Sequence, residues 1–143
     1  MELEIEQPSL RQLYAYWDQK RRGRRFPARA DIDPLELGFV LGNLSLIDVL
    51  HEPLRFRFRL QGTMAVSRLG YDLTGKLVDE IPDPEYRQIT LATYRTIVEQ
   101  GQPMRAVREQ MYDHKIHRYE IVWLPLANNG ESINMLVACV ALF

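Results

Sequence analysis

The sequence predicts an α+β fold built on an antiparallel sheet. Three observations carry this. A helix-type apolar stripe opens the chain. Two strand-like runs, a set of helical segments and three more strand-like runs then follow in that order. The last run is apolar almost throughout, as in a strand covered on both faces. Helices inserted between the second and third strands must cross one face of the sheet.

Each element has a local reason. Residues 1–8 read as a flexible tail. Ser9 with Gln12 makes a capping-box pattern, and Leu10, Leu13, Tyr14 and Trp17 fall at helical spacing on one stripe. Lys20, Arg21 and Arg22 suit a helix C-terminus, and Gly23 suits the stop after it. Residues 24–32 are a connector, so that 9–32 forms a leading helix with its linker and 33–143 the main domain. Asp33-Pro34-Leu35-Glu36 starts a short second helix that ends near Leu41-Gly42. Leu44 to Leu50 and Leu54 to Leu60 form a hairpin around His51-Glu52-Pro53. In its second arm Arg55, Arg57 and Arg59 alternate with apolar residues, giving one charged and one buried face. Gly62 to Leu69 is a helical piece, and residues 70–76 are a turn-rich loop. Asp83-Pro84-Glu85 starts a longer helix that stops at Gly101. Tyr86, Ile89, Thr90, Thr93 and Ile97 share one of its faces, broadened by Leu91, Tyr94 and Val98, as in a helix packed on a sheet. Met104 to Tyr112, His117 to Leu126 and Ile133 to Phe143 are the last three strands.

Composition bounds the function. The chain has 143 residues, 46% hydrophobic and 26% charged, which suits one globular domain. Its longest apolar run, Met135 to Phe143, has nine residues. A helical membrane span needs about 20. The acidic start Met1–Glu6 is not a secretory leader. A single cysteine, Cys139, excludes an internal disulfide and a cysteine-based zinc site, and points to a reducing cytoplasm. The net charge of −1 gives no global attraction to nucleic acid or anionic membranes. Fifteen of the 18 basic residues are Arg, the side chain suited to bidentate ion pairs.

The order of elements resembles that of a PAS domain, and more narrowly a family of stand-alone bacterial PAS-like proteins. The matching segments are LRQLYAYWDQKRRG (10–23), FPARADIDP (26–34), LSLIDV (44–49) and FRFRLQGTMAVSRLGYDLTGK (56–76). The stretch from Arg57 to Gly75 is the most specific, and with the three C-terminal strands the likeness runs from about residue 9 to the end. It implies a five-stranded antiparallel sheet with helices across one face and an N-terminal cap helix. It also implies sensing or docking without catalysis, through a ligand pocket between helices and sheet or through a dimer surface.

Several residue groups deserve a functional and a plainer reading. Met64, Tyr71, Thr90, Tyr94 and Trp123 are candidate liners of a ligand cavity, or else they fill the core. Leu10, Leu13, Tyr14 and Trp17 are the candidate dimer or partner surface, packing on a second copy or on their own sheet. Arg59, Asp72, Thr74 and Gly75 form a structural motif, and the resemblance implies that Arg59 pairs with Asp72, since the family motif carries both. The Arg55–Arg57–Arg59 ladder reads as a solvated face compensated by Asp72, Asp79 or Glu120, rather than as an anion site. The Gly70–Gly75 loop is not a phosphate loop, because no strand leads into a Gly-Lys-Ser/Thr ending.

His51, His114 and His117 lack the spacing of a metal site, and a haem role is not expected. Cys139 in an apolar strand reads as an inert thiol, and no flavin-adduct cysteine motif follows the second strand. Ser45, Ser67 and Ser132 have no nucleophile-elbow context, so no catalytic residue is assigned. The run of cations from Lys20 to Arg25 reads as a helix end rather than a nucleic-acid contact. The expectation is a cytoplasmic, homodimeric sensor or adaptor binding a small molecule, a signalling protein or both. The alternative is a small enzyme with an apolar-substrate cavity on a cone-like α+β fold. The identity of any cofactor is left open.

Overall fold

The computed structural model describes residues 3–143, the side chain of Tyr112 excepted. Met1 and Glu2 of the expected tail lie outside the described residues. Five strands, β1 (Leu44–Leu50), β2 (Arg55–Gln61), β3 (Met104–Tyr112), β4 (Lys115–Leu126) and β5 (Met135–Leu142), form one sheet in the order β2-β1-β5-β4-β3. Every neighbouring pair is antiparallel. The near-continuous apolar run of β5 places it centrally, between β1 and β4, with both faces covered.

The three helices are α1 (Pro8–Arg21), α2 (Thr63–Leu69) and α3 (Pro84–Gln100). Helix α3 follows its sequence signals closely. Asp83 accepts a hydrogen bond from the Glu85 amide, Pro84 sits in the first turn, and Gly101 ends the helix at φ +64°. The second predicted helix is instead a single tight turn, Pro34–Leu37, capped by Asp33, with another at Leu41–Asn43.

Two boundaries differ from expectation. Helix α1 starts at Pro8 with Gln7 before it, so Ser9 is not its cap. No side chain caps it; the sheet instead holds the chain just ahead of the helix, where Glu120 on β4 accepts hydrogen bonds from the Glu6 and Gln7 amides at 2.9 and 2.8 Å. Strand β4 starts at Lys115 rather than His117. Asp113 and His114, both at positive φ, close the hairpin in two residues and leave Lys115 free to pair.

Strand alternation separates the two faces. On β4, Glu120, Val122 and Leu124 point toward α1, and Tyr119, Ile121 and Trp123 point toward α3. The described part of the expected tail is docked, because Ile5 is buried and Leu3 packs against the core. One continuous core joins Leu10, Leu13 and Trp17 of α1 to Phe56, Phe58 and Ile97 on the other side of the sheet. No described helix is long and apolar enough to cross a membrane.

Candidate functional site

A cavity of about 530 Å³ lies between α3 and the inner face of the sheet. Tyr86, Thr90, Thr93 and Tyr94 recur along one side of α3 and form its roof. Alternate positions of the sheet form its floor: Phe58, Arg108, Tyr119, Ile121, Trp123 and Ala138. The small side chains of Ser45 and Ala138, which pair across β1 and β5, leave space between the aromatic walls.

The walls are ordered by specific contacts. The Tyr94 ring meets Phe56 edge-on, with centroids 5.4 Å apart. The Arg108 guanidinium carbon lies 5.2 Å from the Trp123 ring centroid. Its Nη2 donates to the Thr93 hydroxyl at 3.3 Å. Burial pushes the Tyr86 phenol up to about 12. Burial raises Tyr94 as well, and Tyr71 in the same direction. These phenols keep their protons at neutral pH and act as hydrogen-bond donors.

Four expected liners, Tyr71, Thr90, Tyr94 and Trp123, border the cavity. Met64 does not. It lies on the exposed side of α2, beside Gly42. Arg108, Tyr86, Thr93 and Phe58 were not among the expected liners. Tyr86 and Thr93 share the helical face of Thr90, so the helical period already groups them. Arg108 alternates with Met104 and Ala106 on β3, but its charge reads as an outward position.

The 70–76 loop holds Tyr71 at the cavity edge. Asp72 accepts from the Thr74 amide and hydroxyl at 2.9 and 2.7 Å. Gly75, at φ +84°, donates its amide to the Phe58 carbonyl. The Gln61 side chain accepts from the Leu73 amide, which ties the loop to the end of β2. The expected Arg59–Asp72 pair does not form. Arg59 and Arg57 both reach Asp48 on the adjacent strand, at 2.9 and 3.2 Å, while Asp72 is engaged within its own turn. Arg55 pairs with Asp79.

The α1 stripe is not a free surface. Leu10, Leu13 and Trp17 are buried against their own sheet, Trp17 donates its indole N–H to the Pro125 carbonyl at 2.8 Å, and Tyr14 is half-buried. The expected partner surface is therefore an intramolecular contact. The cations after α1 are also engaged: Arg21 with Asp18, Arg22 and Arg24 with Asp31, and Arg25 over Phe26. His51 shares a hydrogen bond with the Ile133 carbonyl at 2.9 Å. Among the described residues no three His, Cys, Asp or Glu side chains converge as a metal site. Cys139 is buried, which pushes its thiol up to about 12.

Comparison with known proteins adds an independent observation. The PAS domain family matches residues 5–140. No curated protein matches the chain in sequence. Among solved structures, the PAS domain of Bordetella pertussis BvgS superposes with a TM-score of 0.60 at 12% identity, over 76% of this chain and 82% of that one. VqmA bound to DPO gives 0.57 at 15% identity, over 77% of this chain. This chain spans only 56% of the length of that VqmA. The Rhodobacter sphaeroides LOV protein gives 0.52 at 12% identity, over 97% of this chain and 69% of that one. At these identities the likeness is one of fold.

Proposed function

This chain belongs to the PAS domain family, and from that premise we propose that it is a non-catalytic sensory or adaptor domain. It binds a small molecule between α3 and the sheet and passes the signal on by contact, as a homodimer or through a signalling partner. The observation that carries this reading is the cavity itself. Aromatic and aliphatic groups such as Phe58, Tyr94, Ile121 and Trp123 wall it together with polar and charged groups such as Ser45, Thr90, Thr93 and Arg108, a mixture that can both bury and orient a small molecule.

The chemistry of the walls favours binding over catalysis. Its perturbed groups are tyrosines held in the protonated form, and none of the three histidines borders it. An enzyme would place a group that titrates near neutral pH against the cavity. The lone, buried Cys139 suits a reducing cytoplasm. A Vibrio cholerae VqmA dimer is among the solved relatives in fold, which supports the dimer expectation. The burial of Leu10, Leu13 and Trp17 favours a dimer contact on a surface other than the α1 stripe.

Native mass spectrometry of freshly purified protein, with an absorbance scan, tests the reading. We expect a non-covalent adduct that denaturation releases and that the cavity-filling change Ala138→Leu reduces. Adduct-free protein that shows no thermal shift with any member of a small-molecule library would overturn the binding claim. Light scattering checks the dimer: the expected mass is twice the 16.8 kDa of one chain, and a monomer at all concentrations removes it.

A further inference from the structure

We infer that the cavity takes a small, mostly apolar organic acid, whose carboxylate is held by Arg108 on the floor. The inference rests on the ligand-binding reading above and names the class of ligand.

Arg55, Arg57, Arg59 and Arg105 each reach a carboxylate of this chain. Among the described residues two sheet arginines, Arg108 and Arg118, reach no carboxylate, and of the two Arg108 borders the cavity while Arg118 lies over the Phe143 ring. The contacts of Arg108 are the Thr93 hydroxyl and the face of Trp123. A guanidinium stays charged at any physiological pH and presents five N–H donors in a planar fork. The hydroxyl and the ring leave most of that fork unused. A half-buried guanidinium set over the Trp123 ring has N–H donors to spare, so a carboxylate that meets them gains a charge-assisted, bidentate contact.

The neighbouring groups fit the same ligand. The phenols of Tyr86 and Tyr94 lie within electrostatic reach of the Arg108 charge and retain their protons. They add hydroxyl donors on the roof, the kind of group from which a carboxylate accepts. Among the other walls, Phe58, Ile121, Trp123 and Ala138 suit an apolar body. Arg68 borders the cavity from α2, while the exposed carboxylates Asp83, Glu85 and Glu109 stand at its edge. A singly charged head passes those acids more easily than a phosphate ester, which carries about −1.5 to −2 at neutral pH.

The test uses matched pairs of probes on the full chain: 3-phenylpropanoate with 3-phenylpropanamide, and indole-3-acetate with indole-3-acetamide. Titration is followed by NMR in wild type and in Arg108→Gln. In at least one pair the acid should bind about tenfold or more tightly than its amide, as expected for a hydrogen bond to a charged group. Arg108→Gln should abolish that preference without changing the thermal midpoint by more than a few degrees. Acid and amide binding equally, or a preference that survives Arg108→Gln, overturns the carboxylate assignment and leaves the cavity reading standing. If no probe binds in either form and purified protein carries no adduct, both fall. Where Arg108→Gln fails to fold, Arg108→Lys takes its place. It keeps the charge without the fork, and its acid preference should shrink by several-fold rather than persist unchanged.

Discussion

Glu120 is a fully buried carboxylate, and its environment explains why it is tolerated. Burial pushes its pKa upward, but the Glu6 and Gln7 amides and the Arg105 guanidinium outweigh that and hold it below the ordinary value. The sign of its contribution follows. A depressed carboxylate adds stability above its unfolded-state value and loses it as pH falls through the lower folded-state value. Wild type should therefore lose stability on acidification below about 4.5, the ordinary value for Glu. Glu120→Gln should be less stable at neutral pH by about 3 kcal/mol, since Arg105 loses its buried partner. Its stability should also fall less steeply between pH 5 and pH 2. Urea unfolding at a series of pH values measures both effects, and parallel curves would exclude Glu120 as the source. Gly62 makes a second residue-scale case. A Cβ there would come within 2.4 Å of the Gly42 carbonyl oxygen, because the start of α2 lies directly against the 41–43 turn. Gly62→Ala should cost about 1–3 kcal/mol from overpacking. A thermal midpoint equal to that of wild type would mean that this close approach is not maintained.

At the scale of elements, α1 is an internal layer. Its apolar stripe satisfies the outer face of β4 and β5, and its indole N–H completes the hydrogen bonding of the Pro125 carbonyl. Trp17→Ala should therefore act on stability, lowering it by about 3–5 kcal/mol. The subunit count under native conditions should match that of wild type. Urea denaturation and light scattering together separate the alternatives: an unchanged midpoint with an altered mass would return α1 to the role of a dimer surface. Helices α2 and α3 do a different job. They roof the opposite face, and α3 leaves the space beneath Thr90 and Tyr94 unfilled because Ser45 and Ala138 are small.

Over the whole molecule, the sheet is the layer shared by both halves of the core. Trp17 lies on one side of it and Trp123 on the other. Their contacts belong to one continuous apolar cluster, so both should report a single cooperative transition. Single-tryptophan variants, Trp17→Phe and Trp123→Phe, allow each side to be followed by fluorescence. Midpoints that differ between the probes, beyond the effect of each substitution on stability, would show the two faces unfolding separately.

Local chemistry fixed most of the elements. The Asp83-Pro84 start and Gly101 stop delimit α3, alternation marks β2, and the apolar run of residues 135–142 selects the sheet centre. These features are local because capping, φ preference and strand period act over a few residues. The five antiparallel strands, the central place of the last one and the likeness to a known family were also legible, and so were four of the cavity's walls. Contacts between distant segments were not. Glu120 holds the chain ahead of α1 from 113 residues away, Arg59 chooses Asp48 over Asp72, and Arg108 turns inward. Nothing in the neighbouring sequence encodes those pairings. They depend on which side chains the sheet register brings within a few ångströms, and on whether a charge taken from water finds a partner there.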